Sequence, residues 1–170
     1  MDLIVAADRN CAIGKKGGLL YSLPEDMKYF RMMTKGKTVV MGQTTFLSLP
    51  GPRPLKGRVN IVLSADRSFE AEGCVNVHTL DELDAAVAGY PADDVMLIGG
   101  ASLYNLLYPK CRRAYVTWID AMTEGADVFI PDFHRIDGWM LESESPAVET
   151  GGYKVRFAVY RNLSAESSCS

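Results

Sequence analysis

The sequence is poor in the residues that mark metalloproteins and many hydrolases. It has four cysteines and two histidines in 170 residues, with no CxxC pair and no Cys/His cluster of zinc type. The histidines also lack an acid or a nucleophile at the spacing of a hydrolytic triad. We therefore predict no metal site and no triad, and we interpret the scattered cysteines as reduced, intracellular thiols.

The chain also lacks long apolar runs and an excess of basic charge. Its first apolar run, residues 3–7, is far too short to cross a membrane, and no basic segment precedes it as in a signal peptide. The net charge of -3 gives no general electrostatic reason to bind nucleic acid or an anionic membrane. We expect a cytoplasmic protein with neither kind of partner.

What is present is the composition of a soluble globular domain, with 48% hydrophobic and 23% charged residues. A chain of this length buries about two thirds of its unfolded surface around a single core. No repeat, low-complexity tract or linker divides it. We predict one domain over residues 1–163, followed by a small, polar tail, 164–170, that we expect to fray.

Strands and helices alternate through most of the chain, which is typical of an α/β fold with a doubly wound, mostly parallel sheet and helices on both faces. The predicted strands of this part are 3–7, 37–41, 60–63, 74–78 and 95–98. The predicted helices are 23–34, a short one from 44, 80–88, and one that opens after 100. Strands 114–119, 139–143 and 153–160 follow without helices, so we expect an antiparallel edge.

Asp26 stands where helical spacing favours an apolar side chain. It is the only polar residue in the stripe formed by positions 23, 26, 27, 30 and 33. Apolar surroundings raise the pKa of a carboxyl group and suit it to proton chemistry or to holding a polar ligand. The alternative is a helix start in which Ser22 and Glu25 form a capping box and Asp26 favours the helix dipole.

Two strand-to-helix junctions are suited to phosphate. A strand ends at Gly42 before Thr44 and Thr45, and the pattern recurs at 99–100 before Ser102. Helix N-termini present unpaired N–H groups, and glycine lets a ligand approach closely. Neither junction matches GxGxxG or the P-loop, so each alone is equally an ordinary tight turn, whereas the pair favours a pyrophosphate site.

A glycine-rich loop, 8–21, follows the first strand, a place where loops often serve function. Arg58 lies just before a predicted buried strand, and Thr117 lies within another. Arg58 is either a cation at the mouth of the sheet or a solvated surface charge. Thr117 is either a plain strand former or a hydrogen-bonding support.

Short motifs then recur along nearly the whole chain in one order. They are ADRN at 7–10 with IG at 13–14, LPEDM at 23–27, VMG at 40–42, TF at 45–46, SLP at 48–50, RPL at 53–55, GR at 57–58, NIVLS at 60–64, IGG at 98–100, YVT at 115–117 and EGAD at 124–127. In order and spacing these motifs resemble the dihydrofolate reductase family.

The resemblance implies reduction of dihydrofolate to tetrahydrofolate by hydride transfer from NADPH. It implies that Asp26 hydrogen-bonds the pteridine and promotes protonation of its N5, with Thr117 supporting the carboxylate and Tyr21 as a third catalytic position. Arg58 would pair with the glutamate carboxylate of the substrate. The other implied substrate residues are Ile4, Val5, Met27, Phe30, Leu49, Leu55, Ile98 and Tyr104.

For the cofactor, the resemblance implies that the loop around 9–23 closes over the nicotinamide and that the 99–100 peptide bond is cis. It also implies a monomer that binds antifolate-type small molecules. The residues implied to hold NADPH are Ala6, Ile13, Gly14, Leu19, Gly42, Gln43, Thr44, Thr45, Leu63, Ser64, Ala65, Gly99, Gly100, Ala101, Ser102 and Leu103.

The sequence departs from the family in two places. Tyr21 ends a Leu-Leu-Tyr run where most members have Leu-Pro-Trp, which frees the loop backbone. The positions that commonly carry cations for the 2′-phosphate of NADPH hold Gln43, Ala65 and Ser102, with Arg67 as the only nearby charge. We therefore predict that the preference for NADPH over NADH survives but shrinks by about 1 to 3 kcal/mol.

Two other functions compete with this one. A pyrimidine reductase of riboflavin synthesis resembles this fold and uses NADPH, but its ribosyl-phosphate substrate would not need Asp26 and Arg58. A catalytically silent nucleotide-binding protein would leave the carboxylate without a purpose. Consumption of NADPH in the presence of dihydrofolate separates the three.

Overall fold

The computed structural model describes residues 1–166, and its main element is a nine-stranded sheet. The strands of the chain are β1 (Asp2–Ala7), β2 (Ala12–Lys15), β3 (Gly18–Leu19), β4 (Thr38–Gly42), β5 (Val59–Leu63), β6 (Val75–Val77), β7 (Val95–Gly99), β8 (Arg113–Ile119), β9 (Val128–Phe129), β10 (Trp139–Glu144), β11 (Val148–Thr150) and β12 (Tyr153–Asn162). The helices are α1 (Pro24–Thr34), α2 (Gln43–Ser48), α3 (Leu80–Val87), α4 (Ala101–Leu107) and α5 (Leu163–Glu166), with single 3₁₀ turns at Ala92–Asp94 and Tyr108–Lys110.

The order across the sheet is β10-β12-β8-β1-β7-β4-β5-β6, and β11 pairs with β12. Every pair from β8 to β6 in this order is parallel, whereas β12 pairs antiparallel with β8, β10 and β11. The predicted fold class, a mostly parallel α/β sheet with an antiparallel C-terminal edge, is confirmed.

The central strands bury both faces because successive side chains of a strand point to opposite sides. On β4, Val40 belongs to the larger core, while Val39 and Met41 belong to a second core on the other face. On β5, Ile61 and Val62 divide in the same way. All five are at most 1% exposed, which explains why these strands form continuous apolar runs rather than alternating patterns.

The structure differs from the sequence prediction at the start of α1. Ser22 does not cap the helix: the N-cap is Leu23, whose own side chain makes no cap hydrogen bond. Instead the backbone N–H of Glu25 donates to the hydroxyl of Thr150, at 3.2 Å, from a strand that the sequence did not predict. The capping box is therefore wrong, and a distant residue serves this helix end.

The glycine-rich loop also contains more structure than expected. Strands β2 and β3 form a hairpin within residues 12–19, and β2 pairs antiparallel with β9, so the three make a small separate sheet. At the other end of the chain, α5 covers the first part of the tail that was predicted to fray, and 167–170 lie outside the described residues. No helix in the described part of the chain is long and apolar enough to cross a membrane.

Candidate active site

Asp26 lies near the start of α1, half-buried, opposite Thr117 of β8. Burial raises the pKa of the Asp26 carboxyl group, because poor solvation disfavours its charged form. A hydrogen bond from the Thr117 hydroxyl acts in the opposite direction and favours the carboxylate. The geometry thus brings the predicted acid and its predicted supporting residue together.

The hydroxyl of Thr117 is buried, and among the described residues its oxygen has no partner in the geometry of a formed hydrogen bond. It therefore lies beside Asp26 with a hydrogen bond that is not fully closed. Buried hydroxyl groups are normally paired, and an unpaired one is destabilising. A buried hydroxyl on the β8 side of the cleft, facing Asp26, favours a supporting role over that of a plain strand former.

Tyr104 of α4 forms another part of this site. Its hydroxyl donates to the backbone carbonyl of Ile4 on β1, at 2.6 Å, and the whole residue is buried. Burial raises the pKa of Tyr104, and the negative charge of Asp26 adds to the shift. Tyr104 therefore remains a neutral donor, and it fastens α4 to the strand next to Thr117.

Apolar side chains line the rest of this side. On the α1 stripe, Leu23 is only 4% exposed but Met27 is 47% exposed, so core packing does not use the whole stripe. Phe30 is half-buried. The predicted wall residues Leu49, Leu55 and Ile98 are partly buried and pack against the second core, while Val5 lies in the larger one.

Arg58 is held in place and is not a free surface charge. Its Nη1 donates to Thr34 Oγ1 at 3.0 Å, and Thr34 Oγ1 donates to the Phe30 carbonyl at the end of α1. The Asn60 side chain ties the preceding loop through the backbone of Leu55 and the carbonyl of Arg58.

Burial, followed by the like charge of Arg31, lowers the pKa of Arg58. The sequence stripe assigned Arg31 to the solvated face of α1, but its charge is felt at Arg58 because both residues lie near the C-terminal end of the helix. Arg31 is thus a second cation near Arg58, the residue predicted to bind the glutamate carboxylate of the substrate. The sequence contained a signal for this role of Arg31, because Arg31 directly follows Phe30, a predicted substrate residue.

A groove of about 670 Å³ opens where β4, β5 and β7 end and the helices α2 and α4 begin. The predicted cofactor residues that line it are Gly42, Gln43, Thr44, Thr45, Leu63, Ser64, Ala65, Gly100, Ala101, Ser102 and Leu103. The predicted residues outside this lining are Ala6 on β1, Ile13 and Gly14 on β2, Leu19 on β3, and Gly99 at the end of β7. The groove residues that the sequence did not single out are Asp66, His78, Thr79, Leu80, Leu106 and Val128.

The glycine pair of the groove needs to be glycine. The Gly99–Gly100 peptide bond is cis, as the resemblance implied, and Gly99 has φ 132°. A Cβ added to Gly100 would stand 3.2 Å from Thr45 Oγ1, and one added to Gly99 would stand 3.3 Å from it. The two helix starts, α2 and α4, therefore meet closely, and neither has a side-chain cap from the described residues. This narrow, neutral cradle fits the pyrophosphate of a dinucleotide.

The charges of this groove differ from the sequence prediction. Neither lysine nor arginine occurs among the described residues that line it. Arg67 is outside the lining and pairs with Glu82 of α3, N···O 3.7 Å, whereas His78 is inside it. That Arg67 reaches the cofactor phosphate stays a prediction, and its ion pair with Glu82 draws it away from the groove. His78 was missed because the contact of its ring with the carbonyl of Ser64 joins residues of separate segments, although its position directly after β6, beside Ser64 after β5, was a signal.

The loop carrying Tyr21 is fastened to the segment after β8. The Tyr21 hydroxyl hydrogen-bonds Thr123 Oγ1 at 2.7 Å, and its ring meets Tyr153 edge-on with centroids 4.9 Å apart. The N–H of Thr123 donates to Asp8 at 2.9 Å, and the N–H of Lys16 donates to Asp127 at 3.1 Å. Both ends of the loop thus use Thr123. The hydrogen-bond partner of the Tyr21 hydroxyl is thus this threonine.

Other chemistry is not assembled here. Within residues 1–166 no group of three or more His, Cys, Asp or Glu side chains could hold a metal ion. Cys11, Cys74 and Cys111 are free thiols, and Cys169 lies outside the described residues.

The chain is similar to known proteins over almost all of its length. Residues 1–162 match the family model described as dihydrofolate reductase. It is 39% identical to dihydrofolate reductase type 3 of Salmonella typhimurium over 160 residues, covering 92% of this chain and 94% of that one. It is 33% identical to dihydrofolate reductase of Bacillus subtilis over 169 residues, covering 99% and 98%. A solved structure of dihydrofolate reductase from Enterococcus faecalis, complexed with NADP(H) and RAB-propyl, superposes with a TM-score of 0.82, 34% identity and 94% coverage of both chains. The chain belongs to the dihydrofolate reductase family.

Proposed function

We propose that Asp26 is the group through which this protein binds the pteridine of its substrate and promotes protonation of N5. The protein is an NADPH-dependent dihydrofolate reductase and reduces dihydrofolate to tetrahydrofolate. The observation that carries the assignment is the position of the Asp26 carboxyl group, half-buried in the cleft and facing the buried hydroxyl of Thr117, where burial raises its pKa. A charge that burial destabilises in the free protein is the kind that a cationic or hydrogen-bond-donating ligand stabilises.

The reduction requires one hydride and one proton across the carbon–nitrogen double bond that includes N5. NADPH, when bound, supplies the hydride. The chain supplies the environment for the proton: a carboxylate at Asp26, poorly solvated, favours positive charge on the ring that it holds. Thr117 donates toward this carboxylate and orients it. Tyr104 stays neutral and donates a hydrogen bond to the carbonyl of Ile4, so it adds no charge to the site.

We propose that Arg58 pairs with the glutamate carboxylate of dihydrofolate at the far end of α1. Thr34 and the carbonyl of Lys56 already fix the guanidinium, so less side-chain entropy is lost on binding. The apolar wall between Asp26 and Arg58 would contact the ring systems of the substrate, with Met27 as its most exposed member. Antifolate-type small molecules would use the same wall.

The groove at the ends of β4, β5 and β7 is our proposed NADPH site, with its neutral donors and glycine pair around the phosphates. The nicotinamide end would lie toward β1 and the β2–β3 hairpin, where the remaining predicted cofactor residues are. We further propose a cytoplasmic monomer of one domain that binds no nucleic acid. Gel filtration at two protein concentrations checks the monomer.

The reaction is tested by following NADPH absorbance in the presence and in the absence of dihydrofolate. Dihydrofolate-dependent oxidation of NADPH with formation of tetrahydrofolate is the expected result. A protein that binds both ligands without turnover would be the catalytically silent alternative. Oxidation supported by a ribosyl-phosphate pyrimidine, and not by dihydrofolate, would favour the pyrimidine reductase.

A further inference from the structure

His78 is the one titratable base in the lining of the cofactor groove among the described residues. It follows β6 directly, and its ring is partly buried. The ring Nδ1 lies 2.8 Å from the carbonyl oxygen of Ser64. Because a carbonyl oxygen only accepts, Nδ1 carries the hydrogen, and Nε2 is the nitrogen left for a ligand or for a second proton.

The contacts of Ser64 connect this ring to the positions where the family commonly places cations. The Ser64 hydroxyl hydrogen-bonds Oε1 of Gln43, and Ala65 is the next residue along the chain. Gln43 and Ala65 are the positions whose usual cations are missing here, and both line the groove together with His78. Ser64 thus lies between His78 and both neutral residues: its hydroxyl group is hydrogen-bonded to Gln43, and it directly precedes Ala65.

We propose that His78, in its imidazolium form, binds the 2′-phosphate of NADPH, so that the preference for NADPH over NADH weakens as pH rises. The inference rests on the proposed use of NADPH in this groove. The imidazolium would offer Nε2–H to the phosphate while Nδ1–H stays on Ser64. A charged donor binds a phosphate about twice as strongly as a neutral one, which makes His78 the residue that determines cofactor specificity.

Acids around His78 limit the effect. Asp66, in the turn after β5, is close enough that the charge of His78 contributes to the lowered pKa of its carboxyl group, behind the hydrogen bonds from Ser68. Glu82 of α3 accepts the backbone N–H of His78 at 2.6 Å, but its charge is shared with Arg67. Asp66 and Glu82 repel the phosphate, so we expect His78 to contribute about tenfold in binding, at the lower end for a charged hydrogen bond.

The direction of the pH effect follows from two titrations. Histidine side chains lose their proton between about pH 5 and 8, whereas a phosphate monoester takes its second negative charge near pH 6. Between pH 6.5 and 8.5 the phosphate therefore stays largely dianionic, while histidine side chains in general lose their charge. With a tenfold coupling, the ratio of the NAD⁺ to the NADP⁺ dissociation constant should fall over this range by at most about tenfold.

The test is titration calorimetry of the substrate-free enzyme with NADP⁺ and with NAD⁺ at the two pH values. At pH 7.5, heats measured in two buffers of different ionisation enthalpy give the protons taken up on binding. The wild type should take up a fraction of a proton with NADP⁺ and close to none with NAD⁺. If His78 served folding alone, the proton uptake on binding would be the same for NADP⁺ and NAD⁺.

Two variants of His78 and one matched control sharpen the test. His78→Gln should lose the proton uptake and bind NADP⁺ about as the wild type does at pH 8.5. His78→Lys should hold a pH-independent preference at least as large as that of the wild type at pH 6.5. His134→Gln removes the other histidine of the chain, which stacks on Trp118 with centroids 5.2 Å apart and lies outside the groove, and should behave as the wild type.

The outcomes separate this inference from the proposed function. In one outcome, NADP⁺ binds, but the ratio of the NAD⁺ to the NADP⁺ dissociation constant changes with pH equally in the wild type and in His78→Gln. This outcome would overturn the role of His78 and leave the proposed cofactor site intact. The same holds if His134→Gln abolishes the proton uptake. Binding of neither dinucleotide would overturn the proposed NADPH site and the inference together. If His78→Gln does not fold, as circular dichroism would reveal, the proton uptake of the wild type and the His78→Lys variant decide.

Discussion

The substrate side and the cofactor side of the cleft carry charge in different ways. On the substrate side, Asp26 and Arg58 hold opposite charges at the two ends of an apolar wall, and Arg31 adds a second cation. In the cofactor groove, no permanent cation lies among the described lining residues, and the charged groups are Asp66 and the titratable His78. Recognition of the substrate glutamate should thus weaken as salt rises, because it rests on cations, whereas recognition of the cofactor phosphate rests mainly on neutral donors and on His78.

The two sides also differ in what they contribute to folding. Burial raises the pKa of Asp26, so the charged form of this carboxyl group is less stable in the folded protein than in the unfolded chain. The glycine pair and hydroxyl groups of the cofactor groove involve no comparable desolvated charge. The substrate side therefore trades stability for function, and substitutions there separate activity from stability most clearly.

The largest expected effect comes from removing the charge on the substrate side. Asp26→Asn should lower kcat/KM for dihydrofolate at pH 7 by roughly 10²- to 10⁴-fold, because the amide neither balances a protonated ring nor favours its protonation. Steady-state kinetics with saturating NADPH measures this, with Glu25→Gln on the exposed face of the same helix as control. Near-normal turnover of the folded Asp26→Asn protein would contradict the assignment.

The same variant should be more stable than the wild type at neutral pH. Because the folded pKa of Asp26 is raised, the wild type loses stability as pH rises from the unfolded value, near 3.9, toward the folded one. Asn removes this loss, so its gain in Tm should be present at pH 8 and vanish near pH 4. Thermal unfolding at both values, again beside Glu25→Gln, checks the sign. A gain that persists at pH 4 would show that burial of the charge is not its cause.

The second effect tests the cation at the other end of the wall. Arg58→Ala should weaken dihydrofolate binding by about 1.5 to 3 kcal/mol, since it removes a charged hydrogen bond to the glutamate carboxylate. A pteridine without the glutamate should bind both proteins almost equally. Equal losses for the two ligands, in fluorescence titrations, would place Arg58 outside the substrate site. Arg31→Ala, which removes the exposed neighbour, should show a smaller loss of the same kind.

The sequence predicts this molecule unevenly, for physical reasons. The buried strands were visible as apolar runs, and Asp26 was visible as a break in a helical period, because both signals are local. The Thr150 cap of α1 and the Nδ1 contact of His78 with Ser64 join residues far apart in the chain, so no spacing reveals them. The short strands β2 and β3 were hidden by glycines, which leave no apolar alternation to detect.

A third substitution would give the cofactor groove a permanent cation, as the substrate side has in Arg58. Gln43→Arg adds a permanent cation next to Ser64 and His78, and we expect it to raise the NADPH over NADH preference by about 1 to 2 kcal/mol, roughly tenfold. Gln43→Met is the matched neutral control. The wild-type preference should itself lie below about 10³-fold in kcat/KM. A larger value, or no gain from arginine, would mean that another cation already holds the phosphate.

The smallest effect concerns the loop that lies between the two sides. Tyr21→Phe removes one hydrogen bond to Thr123 and keeps the edge-on ring contact with Tyr153. A net hydrogen bond contributes about 0.5 to 1.5 kcal/mol, so kcat should change by a few-fold if loop motion limits turnover. Thr123→Val removes the same bond from the other side and keeps the backbone N–H that donates to Asp8.

If Tyr21 acts through this contact, the double variant should be no worse than either single one, because both remove the same interaction. A direct catalytic role of the Tyr21 hydroxyl predicts a different pattern. Tyr21→Phe would then lower the rate of hydride transfer measured in a single turnover, and Thr123→Val would not. Since the Tyr21 hydroxyl is hydrogen-bonded to Thr123, we expect the first pattern.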